Sequence, residues 1–152
     1  MKDAERVLAE EDTGYLAMCR DGEPYCVPVS YAFLGGKIVF HCALKGRKLD
    51  FIGANPKVSF AVSRHPDRAR PHHPETGCTY RYESVICSGR ARIVEDLDER
   101  FALLCGFLEY FNARLGRPAG TNPITKDGAA RVACVEISPE AVSGRRQTKL
   151  KS

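Results

Sequence analysis

Several common signatures are missing from this chain. No apolar run approaches the roughly 20 residues of an α-helical bilayer span, which excludes a membrane helix. No C-x-x-C pair occurs, which leaves a zinc ribbon or a thioredoxin-type dithiol without support. A G-x-G-x-x-G turn, a Walker phosphate loop and a G-x-S-x-G elbow are also absent, so the sequence offers neither a Rossmann-type nicotinamide site nor a hydrolase nucleophile. There are no internal repeats and no low-complexity segment. The opening residues, Met1-Lys2-Asp3-Ala4-Glu5-Arg6, turn acidic at once and lack the apolar core of a signal peptide, so the expected location is the cytoplasm.

What is present describes one folded domain. The chain has 152 residues, 43% apolar and 28% charged, enough to bury a sizeable core. Its seven cysteines are an odd number with no secretion signal. Cys19, Cys26, Cys87 and Cys134 lie inside apolar, strand-like runs and read as small core residues in a reducing compartment. The net charge of +4 comes from the tail: Arg145, Arg146, Lys149 and Lys151 stand among the last eight residues, where there is no acid. The remaining 19 cations match the 19 acids, so no broad basic face for nucleic acid is expected.

Along the chain, Lys2 to Glu11 reads as a short helix with a modest stripe from Val7 and Leu8. Gly14 to Arg20 is a strand ending at Asp21-Gly22, a strong hairpin signal. Tyr25 to Phe33 alternates cleanly, with Tyr25, Val27, Val29, Tyr31 and Phe33 on one face and the small residues Cys26, Pro28, Ser30 and Ala32 on the other. Pro28 cannot donate to a ladder, which points to an edge or a bulge. Gly35-Gly36 turns into a strand over Lys37 to Cys42. A short helix follows over Gly46 to Ala54, then strands over Lys57 to Ser63 and Thr79 to Val94. Between those two strands, Arg64 to Gly77 holds three prolines and three histidines and reads as a long loop. Asp98 to Leu115 is the clearest helix, with Phe101, Leu104, Cys105, Leu108 and Phe111 recurring at helical spacing. A sixth strand is expected near Arg131 to Ile137. The fold class is therefore mainly β: a six-stranded antiparallel barrel with flanking helices, occupying residues 1–138, followed by a basic C-terminal arm over 139–152. Side chains fill the interior of so small a barrel, so a ligand must sit outside it or between subunits, which points to a homodimer.

One stretch stands out chemically. Phe40-His41-Cys42 ends a strand, and Lys45-Gly46-Arg47-Lys48 opens a helix. Arg47 and Lys48 beside free helix-terminal amides suit a phosphate monoester; the alternative is a solvated basic turn. His41 could donate a proton near neutral pH, or be a strand-end histidine satisfied by backbone. His65, His72, His73 and Cys78 could bind zinc or ligate haem, but their spacing matches no structural zinc pattern. A solvated loop is the plainer reading.

These segments, in order and spacing, resemble the pyridoxamine 5′-phosphate oxidase-like FMN-binding split-barrel family, closest to its nitroimidazole-reductase branch. The likeness rests on Gly14-Tyr15-Leu16-Ala17, Val27-Pro28-Val29-Ser30-Tyr31, Phe40-His41-Cys42-Ala43, Gly46-Arg47-Lys48-Leu49, Asn55-Pro56-Lys57-Val58 and Arg81-Tyr82-Glu83-Ser84-Val85-Ile86 with Gly89-Arg90-Ala91. The resemblance implies that Arg47 and Lys48 hold the FMN phosphate. It also implies that Val27, Pro28, Val29, Ser30 and Tyr31 run along the isoalloxazine, that His41 and Cys42 lie near the ring and ribityl chain, and that Ser84 approaches from a neighbouring strand. It further implies an FMN-dependent oxidoreductase of small oxidised molecules, including 5-nitroimidazole-type compounds, with His41 as the candidate catalytic residue and reduced nicotinamide as transient electron donor. FAD or haem are the other cofactors, and a non-catalytic flavin- or haem-binding role is the alternative. The oxidase proper carries a C-terminal Trp and an Arg-Leu-Ala-Pro signature; this chain has no Trp and ends Gly144-Arg145-Arg146-Gln147 before its tail, which argues against pyridoxamine phosphate oxidation.

Overall fold

The computed structural model describes residues 2–65 and 81–147. In chain order the elements are α1 (Lys2–Glu10), β1 (Thr13–Arg20), β2 (Glu23–Ser30), β3 (Ala32–Leu34), β4 (Lys37–Cys42), α2 (Arg47–Ala54), β5 (Lys57–Arg64), β6 (Tyr82–Ile93), α3 (Leu97–Arg114), α4 (Lys126–Ala130) and β7 (Ala133–Gln147). The strands form one antiparallel sheet in the order β2-β1-β5-β6-β7-β4-β3.

The sheet has seven strands rather than the six expected, because the run Tyr25 to Phe33 breaks at Tyr31. Tyr31 is fully buried, its hydroxyl donates to the Leu8 carbonyl at 2.8 Å, and its ring meets Phe60 edge-on at 5.0 Å. Its amide donates to the Asp12 carbonyl at 2.9 Å, so ladder pairing with β1 stops there. The chain then crosses from one end of the sheet to the other: β2 is one terminal strand, and β3, a single residue later, is the opposite one. That continuity forces the sheet to curl on itself into a split barrel with its seam beside Tyr31.

The two hairpin turns follow the sequence signals. Asp21-Gly22 and Gly35-Gly36 both take positive φ at their two central positions, as a two-residue turn matching strand twist requires. Pro28 lies on the terminal strand β2, where its missing N–H costs no ladder bond.

The last strand departs further from expectation. β7 pairs with β6 from Val135 to Gln147, so residues 139–147 are sheet and not a free arm; 148–152 lie outside the described residues. Pro139 opens the stretch expected to be a basic arm. It is accommodated at a register shift between Ser88 and Gly89. Gly89 is required there, since a Cβ would meet the Ser138 carbonyl oxygen at 2.2 Å.

Alternation places Leu16, Ile38, Phe40, Phe60, Val62, Val135 and Ile137 inside the barrel, with Phe51 of α2 closing one end. A second cluster under α3 and α4 covers the outer face of β4 and β7 through Val39, Val94, Leu104, Ala129 and Cys134. Glu136 is buried beside that cluster, where Lys37 at 2.8 Å and Arg92 at 3.0 Å hold it. Burial alone would raise its pKa; the two cations pull it below the ordinary carboxylate range. Cys87 and Cys134 are core thiols as expected, but Cys19 and Cys26 face outward, because Met18 and Tyr25 take the inward positions beside them.

Candidate functional site

The seam of the barrel exposes backbone on both sides. Among the described residues, β2 has a partner on one edge only, and β3 covers β4 only from Lys37 to Val39. Phe40, His41 and Cys42 therefore continue past β3 with their outer edge open. The pairing of β3 with β4 ends at Ala32–Val39, one residue after Tyr31 has closed β2. Among the described residues, β2 and the end of β4 each keep one unpaired edge, with amide donors and carbonyl acceptors.

At the end of β4 the chain turns into α2. Gly46 occupies the N-cap with φ 149° and ψ 159°, a region that non-glycine residues rarely enter, and no side chain caps the helix. The Leu49 and Asp50 amides donate to the Gly46 carbonyl at 2.9 and 3.2 Å, which leaves the Arg47 and Lys48 amides as the ones a helix start cannot satisfy internally. A cavity of about 230 Å³ lies at this terminus, with Tyr25, Cys42, Lys45, Gly46, Arg47 and Lys48 in its wall.

The two adjacent cations are not equivalent. The Arg47 guanidinium lies 4.6 Å from the Tyr25 ring centroid and 5.3 Å from that of Phe51, and it is ion-paired to Glu23. Lys48 has no carboxylate partner among the described residues; its Nζ sits 5.6 Å from the Phe40 ring centroid. Lys45 adds a third cation to the same wall.

His41 and Cys42 point to opposite faces of β4, as successive strand residues must. Cys42 faces the α2 cavity, where burial pushes its thiol pKa up and Lys48 opposes that shift. His41 faces α3, with its ring edge-on to Phe107 at 5.0 Å and 77°. Burial against that ring lowers the imidazole pKa below its usual range, and the Lys48 charge lowers it further.

The remaining expected site residues divide. Pro28 and Ser30 are exposed on β2, whereas Val27 and Val29 turn towards the core. The Tyr31 side chain is buried in the core, so only its backbone can reach the seam. Ser84 is not brought to the cleft, since β1 and β5 separate β6 from β2. It borders a different cavity of about 230 Å³ between α1 and the ends of β6 and β7. His72, His73 and Cys78 fall outside the described residues. Among those that are described, no group of three or more His, Cys, Asp or Glu could hold a metal, and no helix is long and apolar enough to cross a membrane.

Sequence reasoning missed Tyr25, Glu23, Lys45 and Phe107. Lys45 was legible as a third cation two residues before Arg47. Phe107 stands three residues after Leu104, a spacing that could have placed it on the packed face of α3.

The family model described as pyridoxamine 5′-phosphate oxidase matches residues 2–146. An uncharacterized protein of Rhizobium meliloti (strain 1021) is 32% identical over 90 residues, 59% of this chain, and the chain spans about half (51%) of that relative's length. Among solved structures, a FAD-binding protein from Mesorhizobium loti is 25% identical with a TM-score of 0.72, covering 97% of this chain and 94% of that one. A candidate 5-nitroimidazole antibiotic resistance protein from Bacteroides thetaiotaomicron shares the fold at 18% identity and a TM-score of 0.75, over 94% of this chain and 81% of its own. With nearly its whole length matched and the split barrel in place, the chain belongs to the pyridoxamine 5′-phosphate oxidase family.

Proposed function

We propose that this protein binds a flavin, FMN foremost, and reduces small oxidised molecules, nitro compounds of the 5-nitroimidazole type among them. The observation that carries this reading is the start of α2: Gly46 offers no side-chain cap to the Arg47 and Lys48 amides, and Lys45, Arg47 and Lys48 line the cavity there. A helix terminus without its own cap, ringed by cations, suits a phosphate dianion. FAD would fit the same seat through its inner phosphate, and the Mesorhizobium loti structure is a FAD-binding protein.

The seam supports the rest. An isoalloxazine carries hydrogen-bond donors and acceptors along one rim, which matches the open edges of β2 and β4. Pro28 and Ser30 are small and exposed enough for a flat ring to lie close to backbone. Bound there, the flavin supplies hydride and electron transfer. The protein's own part is orientation and one proton. Reduction of a nitro group to the nitroso level consumes two electrons and two protons and releases water; with both electrons and one proton arriving as hydride, His41 supplies the second proton.

A homodimer completes the reading. The outer face of β2, β1, β5 and β6 presents Pro28, Ala17, Ala61, Ser59 and Ser88, with Tyr15 and Ile86 about half exposed. A second copy docked on that face could bring its Ser84 to a seam that this chain's Ser84 does not reach.

The function is tested by reconstitution. Purified protein mixed with FMN, FAD or haem should retain flavin and turn yellow. Reduced nicotinamide should bleach it and a 5-nitroimidazole should restore the colour. Stable flavin that nicotinamide cannot bleach would mean a carrier, and an intense Soret band with haem would mean a haem protein.

Glu23 competes with the phosphate for Arg47. Glu23→Gln should tighten FMN binding about two- to fivefold at low salt, the effect of removing one exposed ion pair. Isothermal titration reads this directly. Unchanged or weaker binding would show that Glu23 does not oppose the ligand.

A further inference from the structure

We infer that Phe107 positions His41 and forms with it the seat of an aromatic acceptor, so that the site favours planar nitroaromatics over aliphatic nitro compounds. This deepens the reductase reading and rests on it for turnover, but the geometry stands apart from the flavin.

The two rings meet at 5.0 Å and 77°, the edge-to-face arrangement that aromatic pairs favour. The groups that act on His41 come from three elements. β7 brings Cys134 directly across the ladder, α3 brings Phe107, and α2 acts from a distance through the Lys48 charge. The Cys134 thiol, its pKa pushed up to about 11 by burial, is uncharged near neutrality. No described carboxylate is paired with His41, so its orientation falls to the aromatic contact.

Phe107 is itself held. Its ring lies 4.8 Å from Phe111, and Phe111 meets Tyr110 at 5.5 Å. The Tyr110 hydroxyl donates to the Ala9 carbonyl at 2.6 Å, and Arg114 donates to the Ala9 and Glu10 carbonyls at 2.7 and 2.6 Å. The end of α1 thereby anchors the aromatic row, which reaches the seam at His41. Leu104, one turn earlier on α3, is buried in the core, whereas Phe107 stays half-buried at the rim beside His41. A flat ring entering at His41 would meet the uncovered part of Phe107 and place its nitro group at the imidazole.

The test uses the full chain with labelled histidine, assigning His41 by the resonance that His41→Ala removes. In the wild type that resonance should carry the ring-current shift of an edge-on phenyl group. Phe107→Leu should abolish the shift and Phe107→Tyr should keep it. Nitrobenzene titrated without flavin should perturb the same resonance, with binding about three- to tenfold weaker in Phe107→Leu and restored in Phe107→Tyr. Nitroethane should perturb it weakly and equally in all three proteins. With FMN bound, the KM for nitrobenzene should rise in Phe107→Leu while that for nitroethane stays unchanged. A His41 resonance indifferent to Phe107→Leu, or equal losses for both acceptors, would overturn the inference. Failure of the wild type to hold flavin would leave the resonance data intact and would count only against the reductase reading.

Discussion

Arg47→Ala combined with Lys48→Ala is expected to abolish FMN retention through purification. Each charge-assisted contact to a phosphate contributes roughly 1.5–3 kcal/mol, so losing two should weaken binding on the order of 10²- to 10⁴-fold. The single variants should differ. Arg47 is shared with Glu23 and lies against Tyr25 and Phe51, so part of its energy is already spent within the protein. Lys48 has no such carboxylate, and Lys48→Ala should be the more damaging of the two. Raising ionic strength should weaken the wild type more than the double variant, because only the wild type has those cations to screen. Undiminished flavin affinity in the double variant would remove the phosphate from this helix.

His41→Ala is expected to leave flavin binding intact while slowing nitro-group reduction about 10²- to 10⁴-fold, the usual contribution of a positioned proton donor. The pH profile gives a sharper reading. Burial and the Lys48 charge both lower the His41 pKa, so the acid form is scarcer than for an ordinary imidazole. The rate should therefore climb as pH falls through that lowered pKa, and His41→Ala should flatten the climb. The stability effect has the opposite sense: a histidine whose folded pKa is depressed loses its stabilising contribution as pH falls, so the activity gain must be read above the pH at which unfolding begins. An unaltered rate in His41→Ala would take His41 out of the mechanism.

Local chemistry made much of this fold legible. Asp21-Gly22 and Gly35-Gly36 marked their turns, Pro28 marked an edge strand, and the Gly46-Arg47-Lys48 run marked the helix start that now carries the functional reading. Long-range geometry was not legible. Tyr31 looked like one more inward residue of an unbroken strand. Only the Leu8 carbonyl and the Phe60 ring, neither near it in sequence, explain why it ends one strand and opens another. Pro139 reads as a stop by its own chemistry, and the register shift that admits it depends on Gly89, 50 residues earlier. Ser84 was expected to approach the cofactor from a neighbouring strand, and order along the chain does not reveal that β1 and β5 stand between its strand and β2 within one chain. The Phe107 contact was hidden for a similar reason: periodicity shows that a helix has a packed face, but not which strand residue the rim of that face will touch.

The central claim is that the uncapped start of α2 recognises a phosphate, and the direct measurement compares FMN with riboflavin, the same ring without that group. Titrated into the apoprotein under identical salt, FMN should bind on the order of 100-fold more tightly. Equal affinity for the two would contradict the claim, because the cations around Gly46 would then contribute nothing to holding the flavin.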